Sequence, residues 1–290
     1  MFHTTIPRAS NGIGIHTIRA GELMPQLAYQ PVDLPADLDG FRIEFAEDNS
    51  RADIILDRPP FNLVSVAQCA QLRAAFEALE DDPAVRVIVV RTSGEHFSRG
   101  SIMEELVNAS PEEVSRLAWD LSAPSRCSKP VIAANRGYCF GAGFELALAC
   151  DFRIATETAL YALLAQEMGQ VPSFGFAARL YKLVGVGRMK DIVMRSKLIH
   201  GPQAYDWGIA SEFAVDGELE CATDGLVQEL LEFSPVPQRA AKKLLSDIED
   251  ARLSAGIDVE PAIVRQPPYL AARGHRTDER DALRLQTGSA

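Results

Sequence analysis

Tyr138-Cys139-Phe140-Gly141-Ala142-Gly143-Phe144-Glu145-Leu146-Ala147-Leu148-Ala149-Cys150 is a thirteen-residue stretch with one charge, Glu145. Gly141 and Gly143 punctuate its start, and the remainder, Gly141 to Cys150, reads as a buried helix. A carboxylate among apolar neighbours at the start of a helix is unfavourable unless it is paired or protonated. Burial raises a carboxyl pKa, which is the tuning that a general acid or base near neutral pH requires. The small side chains at 141–143 leave their backbone amides unobstructed at a helix N-terminus. Such amides, aligned with the helix dipole, suit a developing oxyanion. Two plainer readings stay open: Glu145 on a solvent face, or Glu145 capping the amides beside it.

Outward from this stretch, Pro130 to Ala134 and Phe152 to Ala155 read as strands on either side of the helix. Further upstream, Pro111 to Leu121 is helical, Val85 to Val90 is a buried strand and Val66 to Leu79 is a helix. Phe41, Ile43 and Phe45 alternate with polar residues and pair as a hairpin with Asp53 to Leu56, across a turn near Asp48-Asn49. Strands separated by helices predict right-handed crossovers and a partly parallel sheet, so the fold class is α/β. Beyond Phe174 strands become scarce. Ala177 to Val184, Arg188 to Ser196, Gly201 to Trp207, Gly225 to Glu232 and Val236 to Ser254 read as helices. The expected organisation is an N-terminal extension over 1–40, an α/β core over 41–195, a helical region over 196–265 and a tail over 266–290.

The 290 residues carry 40 Asp and Glu against 29 Lys and Arg, a formal charge of −11. That balance argues against nucleic acid and against a polybasic membrane anchor. The five cysteines contain no C-x-x-C pair, so neither a disulfide framework nor a metal site is expected, and the reading is cytoplasmic. No apolar run approaches the length of a membrane span, and the first twenty residues hold no signal-like apolar region.

A second glycine-centred segment, Gly94-Glu95-His96-Phe97-Ser98-Arg99-Gly100-Ser101, follows the strand Val85–Val90, at the end where α/β folds place ligands. Together with Arg58-Pro59 and Asn62, Ala134 to Ala147, Cys150-Asp151, Gly169-x-x-Pro172, Leu183-Val184-Gly185 and Ala204 to Gly208, it resembles the crotonase (enoyl-CoA hydratase/isomerase) superfamily in order and spacing over residues 41–245. The resemblance implies a spiral of β-β-α units with a helical C-terminal trimerisation region, assembled as a homotrimer or a dimer of trimers. It implies an acyl-CoA thioester as substrate, with coenzyme A entering as part of that substrate and no further cofactor. By position, the two enolate-binding amides belong to Ser101 and Ala142, and Glu145 matches the first acid/base glutamate of the hydratases. The substrate-contacting set is then Arg58, Ser98, Gly100, Met103 and Gly141, with Lys242 and Lys243 beside Arg239 as the cations for CoA phosphates.

The departures narrow the expectation. The second hydratase glutamate is replaced by Ala165, and Glu167, two residues on, points about 200° away on a helix. Ile102 stands where an acidic residue often follows the oxyanion residue. The leading function is hydration or dehydration of an enoyl-CoA with one glutamate. The alternatives are isomerisation, thioester hydrolysis, carbon–carbon cleavage, or a member that binds acyl-CoA without turnover. His96 reads as a positioning or surface residue rather than a base. Tyr138 and Tyr161 read as packing residues that could also offer a hydroxyl, and Ser98 and Ser101 lack the G-x-S-x-G setting of a serine nucleophile.

Overall fold

The computed structural model describes residues 37–164 and 176–257. The expected extension up to residue 36, the tail from 266 onward, and Ala165, Glu167, Gly169 and Pro172 lie outside the described residues. Strands β1 (Phe41–Phe45) and β2 (Arg51–Leu56) form the predicted hairpin, with Phe41 opposite Leu56. Its turn carries Asn49 at φ 57°, and Asp48 accepts from the Ser50 amide at 3.0 Å. Helix α1 (Val66–Asp81) is capped by the Ser65 hydroxyl and leads to β3 (Val87–Thr92). There follow α2 (Met103–Asn108), α3 (Pro111–Leu121), α4 (Ala123–Arg126), β4 (Val131–Asn135), β5 (Tyr138–Phe140) and α5 (Ala142–Ala149). The chain continues through β6 (Phe152–Thr156), β7 (Leu160–Ala162), α6 (Phe176–Met194), β8 (Ile199–His200) and α7 (Gly201–Asp206). It closes with β9 (Glu212–Ala214), α8 (Leu219–Glu232) and α9 (Pro235–Ile257).

Six strands form one sheet in the order β1-β2-β3-β4-β6-β9, parallel except for the hairpin. Three short strands form a second sheet, β5-β7-β8. The chain therefore turns a corner from β4 into β5 and from β6 into β7, with α5 following the first corner. These are successive β-β-α turns of a spiral. The uninterrupted apolar run of β3 follows from burial on both faces. Ile88 and Val90 join the core under α1, α3 and α5, while Val87 and Val89 pack with Leu226, Val227 and Leu230 of α8. All eight residues of α5 are buried, which is why it shows no polar stripe.

The two helices expected over Ala177–Val184 and Arg188–Ser196 are the two halves of α6, which breaks where Gly185 takes the non-helical φ 74°. The ammonium of Lys242, expected beside CoA phosphates, donates to Asp151 Oδ2 (2.6 Å), Lys129 O (2.7 Å) and Pro124 O (3.0 Å). Three acceptors use all three of its N–H donors and tie α9 to the ends of α4 and α5. Asp151 Oδ2 also accepts from the Val131 amide at 2.7 Å. Burial pushes the Asp151 carboxyl up, against the pull of the Lys242 charge. Lys242→Met should therefore destabilise the protein by roughly 2–3 kcal/mol, because Asp151 loses its cation while still largely enclosed. Urea midpoints at matched protein concentration check this; Lys242→Met combined with Asp151→Asn should recover part of the loss.

Candidate active site

The two glycine-centred segments meet at the end of β5. Ser98 pairs with Cys139 as a parallel bridge, and the Ser98 amide donates to Tyr138 O at 2.8 Å. The Phe140 amide returns the bond to Ser98 O at 2.9 Å. Past this ladder both chains bend sharply, with Gly100 at φ 107° and Gly141 at φ 49°. A Cβ built on Gly141 would lie 3.7 Å from Gly100 Cα, so the two bends are nearly in contact. Gly143 is required for a different reason: its Cβ would fall 2.5 Å from Ser98 Cβ. Without that close approach α5 could not start beside the Ser98 segment.

Each bend is followed by an amide that the fold leaves open. Among the described residues, neither the Ser101 nor the Ala142 N–H donates to another backbone group. Ala142 is the first residue of α5, where an N–H has no partner within the helix. One turn on, Glu145 is 1% exposed, and its own amide donates to Gly141 O at 2.9 Å. Burial, together with the charges of Asp120, Glu145 and Glu105, pushes the Cys69 thiol up. Glu145 thus shares a low-dielectric region with two other carboxylates. Both of those are engaged: Asp120 with Arg73 Nε at 2.8 Å, and Glu105 with the Val66 amide at 2.7 Å.

Ser101 and Ile102 border a narrow crevice of about 10 Å³, walled by Cys69, Leu106, Leu117 and Leu121. That is room for about one water molecule. A larger cavity of about 700 Å³ lies at the other end of β5, lined by His96, Arg136, Tyr138, Thr158, His200 and Asp216.

The remaining expected site residues separate. Gly100 and Gly141 form the bends, and Met103 begins α2, half-buried beside Ser101 and Ile102. Ser98 is fully buried, and its Oγ accepts from the Gly100 amide at 3.1 Å, so its hydroxyl shapes the bend. Arg58 is ion-paired with Asp39 and donates to Leu63 O and Gln68 Oε1, which binds it to the start of α1. Lys243 is exposed on α9. Tyr161 is fully buried and donates to Asn135 Oδ1 at 3.1 Å.

Asn62 is an anchor that the sequence reading left as part of a motif. At φ 48° it accepts from the Arg58 amide and donates to Thr92 Oγ1 (2.6 Å) and His96 O (2.8 Å). An asparagine two residues beyond a proline pair, ahead of a capping serine, was the available signal.

Residues 46–271 match the Enoyl-CoA hydratase/isomerase family. Carnitinyl-CoA dehydratase of Salmonella arizonae is 30% identical over 208 residues, covering 70% of this chain and 80% of that one. Among solved structures, an enoyl-CoA hydratase from Bacillus anthracis superposes with a TM-score of 0.68 at 25% identity, covering 86% and 96% of the two chains. A Thermobifida fusca protein in complex with acetoacetyl-CoA superposes with a TM-score of 0.67 at 27% identity, covering 78% and 94%.

Proposed function

Because this chain belongs to the enoyl-CoA hydratase/isomerase family, we propose that it adds water to, or removes it from, an acyl-CoA thioester through an enolate held by the Ser101 and Ala142 amides. The observation that carries this reading is the pair of unengaged amides beside the buried carboxylate of Glu145. In the hydration direction Glu145 takes a proton from water as the oxygen bonds to the β-carbon. Electron density moves through the α,β double bond onto the thioester oxygen, where the two amides and the N-terminus of α5 stabilise it. The enolate then collapses, and its α-carbon takes the proton back from Glu145. Dehydration is the same sequence reversed. One carboxylate serves both transfers, consistent with Ala165 at the position of the second glutamate.

The test is turnover of a panel of crotonyl-CoA, carnitinyl-CoA and a long-chain enoyl-CoA, with products read by mass spectrometry. A mass change of one water with CoA retained is the expected result. Free thiol release would assign a hydrolase, an unchanged mass with a shifted double bond an isomerase, and no turnover of any substrate would end the enzymatic reading.

A further inference from the structure

The ladder joining the two amide-bearing segments contains an irregular rung. In a parallel pair, the rung preceding Ser98 N–H to Tyr138 O runs from the Tyr138 N–H to the main-chain carbonyl of residue 96. Here that carbonyl is occupied, accepting from Asn62 Nδ2 at 2.8 Å and Thr92 Oγ1 at 2.9 Å. The Tyr138 N–H donates instead to the His96 side chain, at Nδ1, over 3.3 Å. The ring packs against two aromatic neighbours, its centroid 4.1 Å from that of Tyr138 and 5.6 Å from that of Phe61, with its plane nearly parallel to both. Five residues beyond His96 lies the Ser101 amide, and four beyond Tyr138 lies that of Ala142.

We propose that His96 is a positioning residue, its imidazole standing in for a main-chain carbonyl in one rung of the ladder that sets the Ser101 and Ala142 amides relative to one another. The inference rests on the oxyanion reading above and adds to it the element that holds the hole in register. Only an imidazole with a bare Nδ1 accepts this bond, so the proton of the neutral ring sits on Nε2. Protonation sets an N–H against the Tyr138 N–H and removes the rung. The charged and titratable groups around the ring are Glu95 and Arg99 on its own segment, with Arg136, His200 and Asp216 across the cavity. Burial, aided by the Arg99 charge, holds the imidazole below its ordinary value, against the opposing pull of the Glu95 charge and carbonyl. The neutral, rung-making form is therefore the resting form near neutral pH, and the rung is lost on acidification.

Two substitutions separate the rung from the ring stack. His96→Asn keeps an acceptor near Nδ1, discards the aromatic ring and does not titrate. His96→Phe keeps the ring and discards the acceptor. Each is measured for kcat and KM on crotonyl-CoA against pH. Each is also measured, in a Glu145→Gln background, for binding of acetoacetyl-CoA and for the ultraviolet absorbance of its enolate, which reads the hole without turnover or Glu145 titration. The expected result is that His96→Phe loses about 10–100-fold in kcat with little change in KM, as misplaced catalytic groups do, and binds less enolate. His96→Asn should stay within a few-fold of the parent at neutral pH, with its acid limb moved to lower pH. A packing role predicts the opposite order, and His96→Phe at full activity, or an unmoved acid limb in His96→Asn, overturns the proposal. If the parent neither turns over nor binds any acyl-CoA, the oxyanion reading fails and this inference falls with it.

Discussion

Glu145→Gln is expected to lower kcat for crotonyl-CoA hydration by about 10²–10⁴-fold, with KM changed by no more than a few-fold. Glutamine matches glutamate in size, so the fully buried helix α5 has no reason to repack around it. What disappears is the ability to take a proton from water and return it to carbon. The two carboxylates that share its surroundings do not substitute, since Asp120 is held by Arg73 and Glu105 by the Val66 amide. In the proposed mechanism, with alanine at 165, one carboxylate serves both proton transfers, so its loss should remove both halves of the reaction. Substrate binding by amides and apolar walls is left intact, which is why the effect belongs in kcat. Steady-state kinetics with a melting curve as the control for folding checks this. Activity within about threefold of the parent would remove Glu145 from the mechanism.

The features that a sequence displays are those with a long enough period or a sharp enough contrast. Helix α5 and strand β3 are visible because burial on all sides leaves apolar runs, broken in α5 by Glu145 alone and in β3 only at its end, and the β1–β2 hairpin is visible by alternation. Strands β5, β7, β8 and β9 span only two or three residues, too few to set up a period, although β5 sets the site geometry. The two bends are legible as glycines, but their contact is not, because it depends on a ladder between residues about forty apart in sequence. Lys242 shows the limit from the other side. A basic cluster on a helix reads as solvent- or phosphate-facing, and nothing local reveals an acidic partner 91 residues away. His96 is intermediate: its place beside the loop suggests positioning, while the occupied carbonyl that makes its side chain necessary is visible only in three dimensions.

Ala142→Pro should lower kcat by about 10²–10³-fold, the loss typical of one missing oxyanion donor. The substitution is selective because of where Ala142 sits. Proline has no N–H, and the first position of a helix is the one that tolerates it, since that N–H has no intrahelical partner. Proline also constrains the residue before it, favouring extended backbone. Gly141 already has φ 49° and ψ −119°, the mirror image of an extended conformation, open to glycine and free of the helical geometry that proline opposes. The bend, the helix and Glu145 can then persist while one donor is deleted. Ala142→Gly is the matched control: it keeps the N–H and should keep nearly all activity. In the proposed mechanism the amides bind the enolate more strongly than the neutral thioester, so the proline effect should fall on kcat and on acetoacetyl-CoA affinity more than on KM. A folded Ala142→Pro protein with parental turnover would place the negative charge of the reaction elsewhere than at the start of α5.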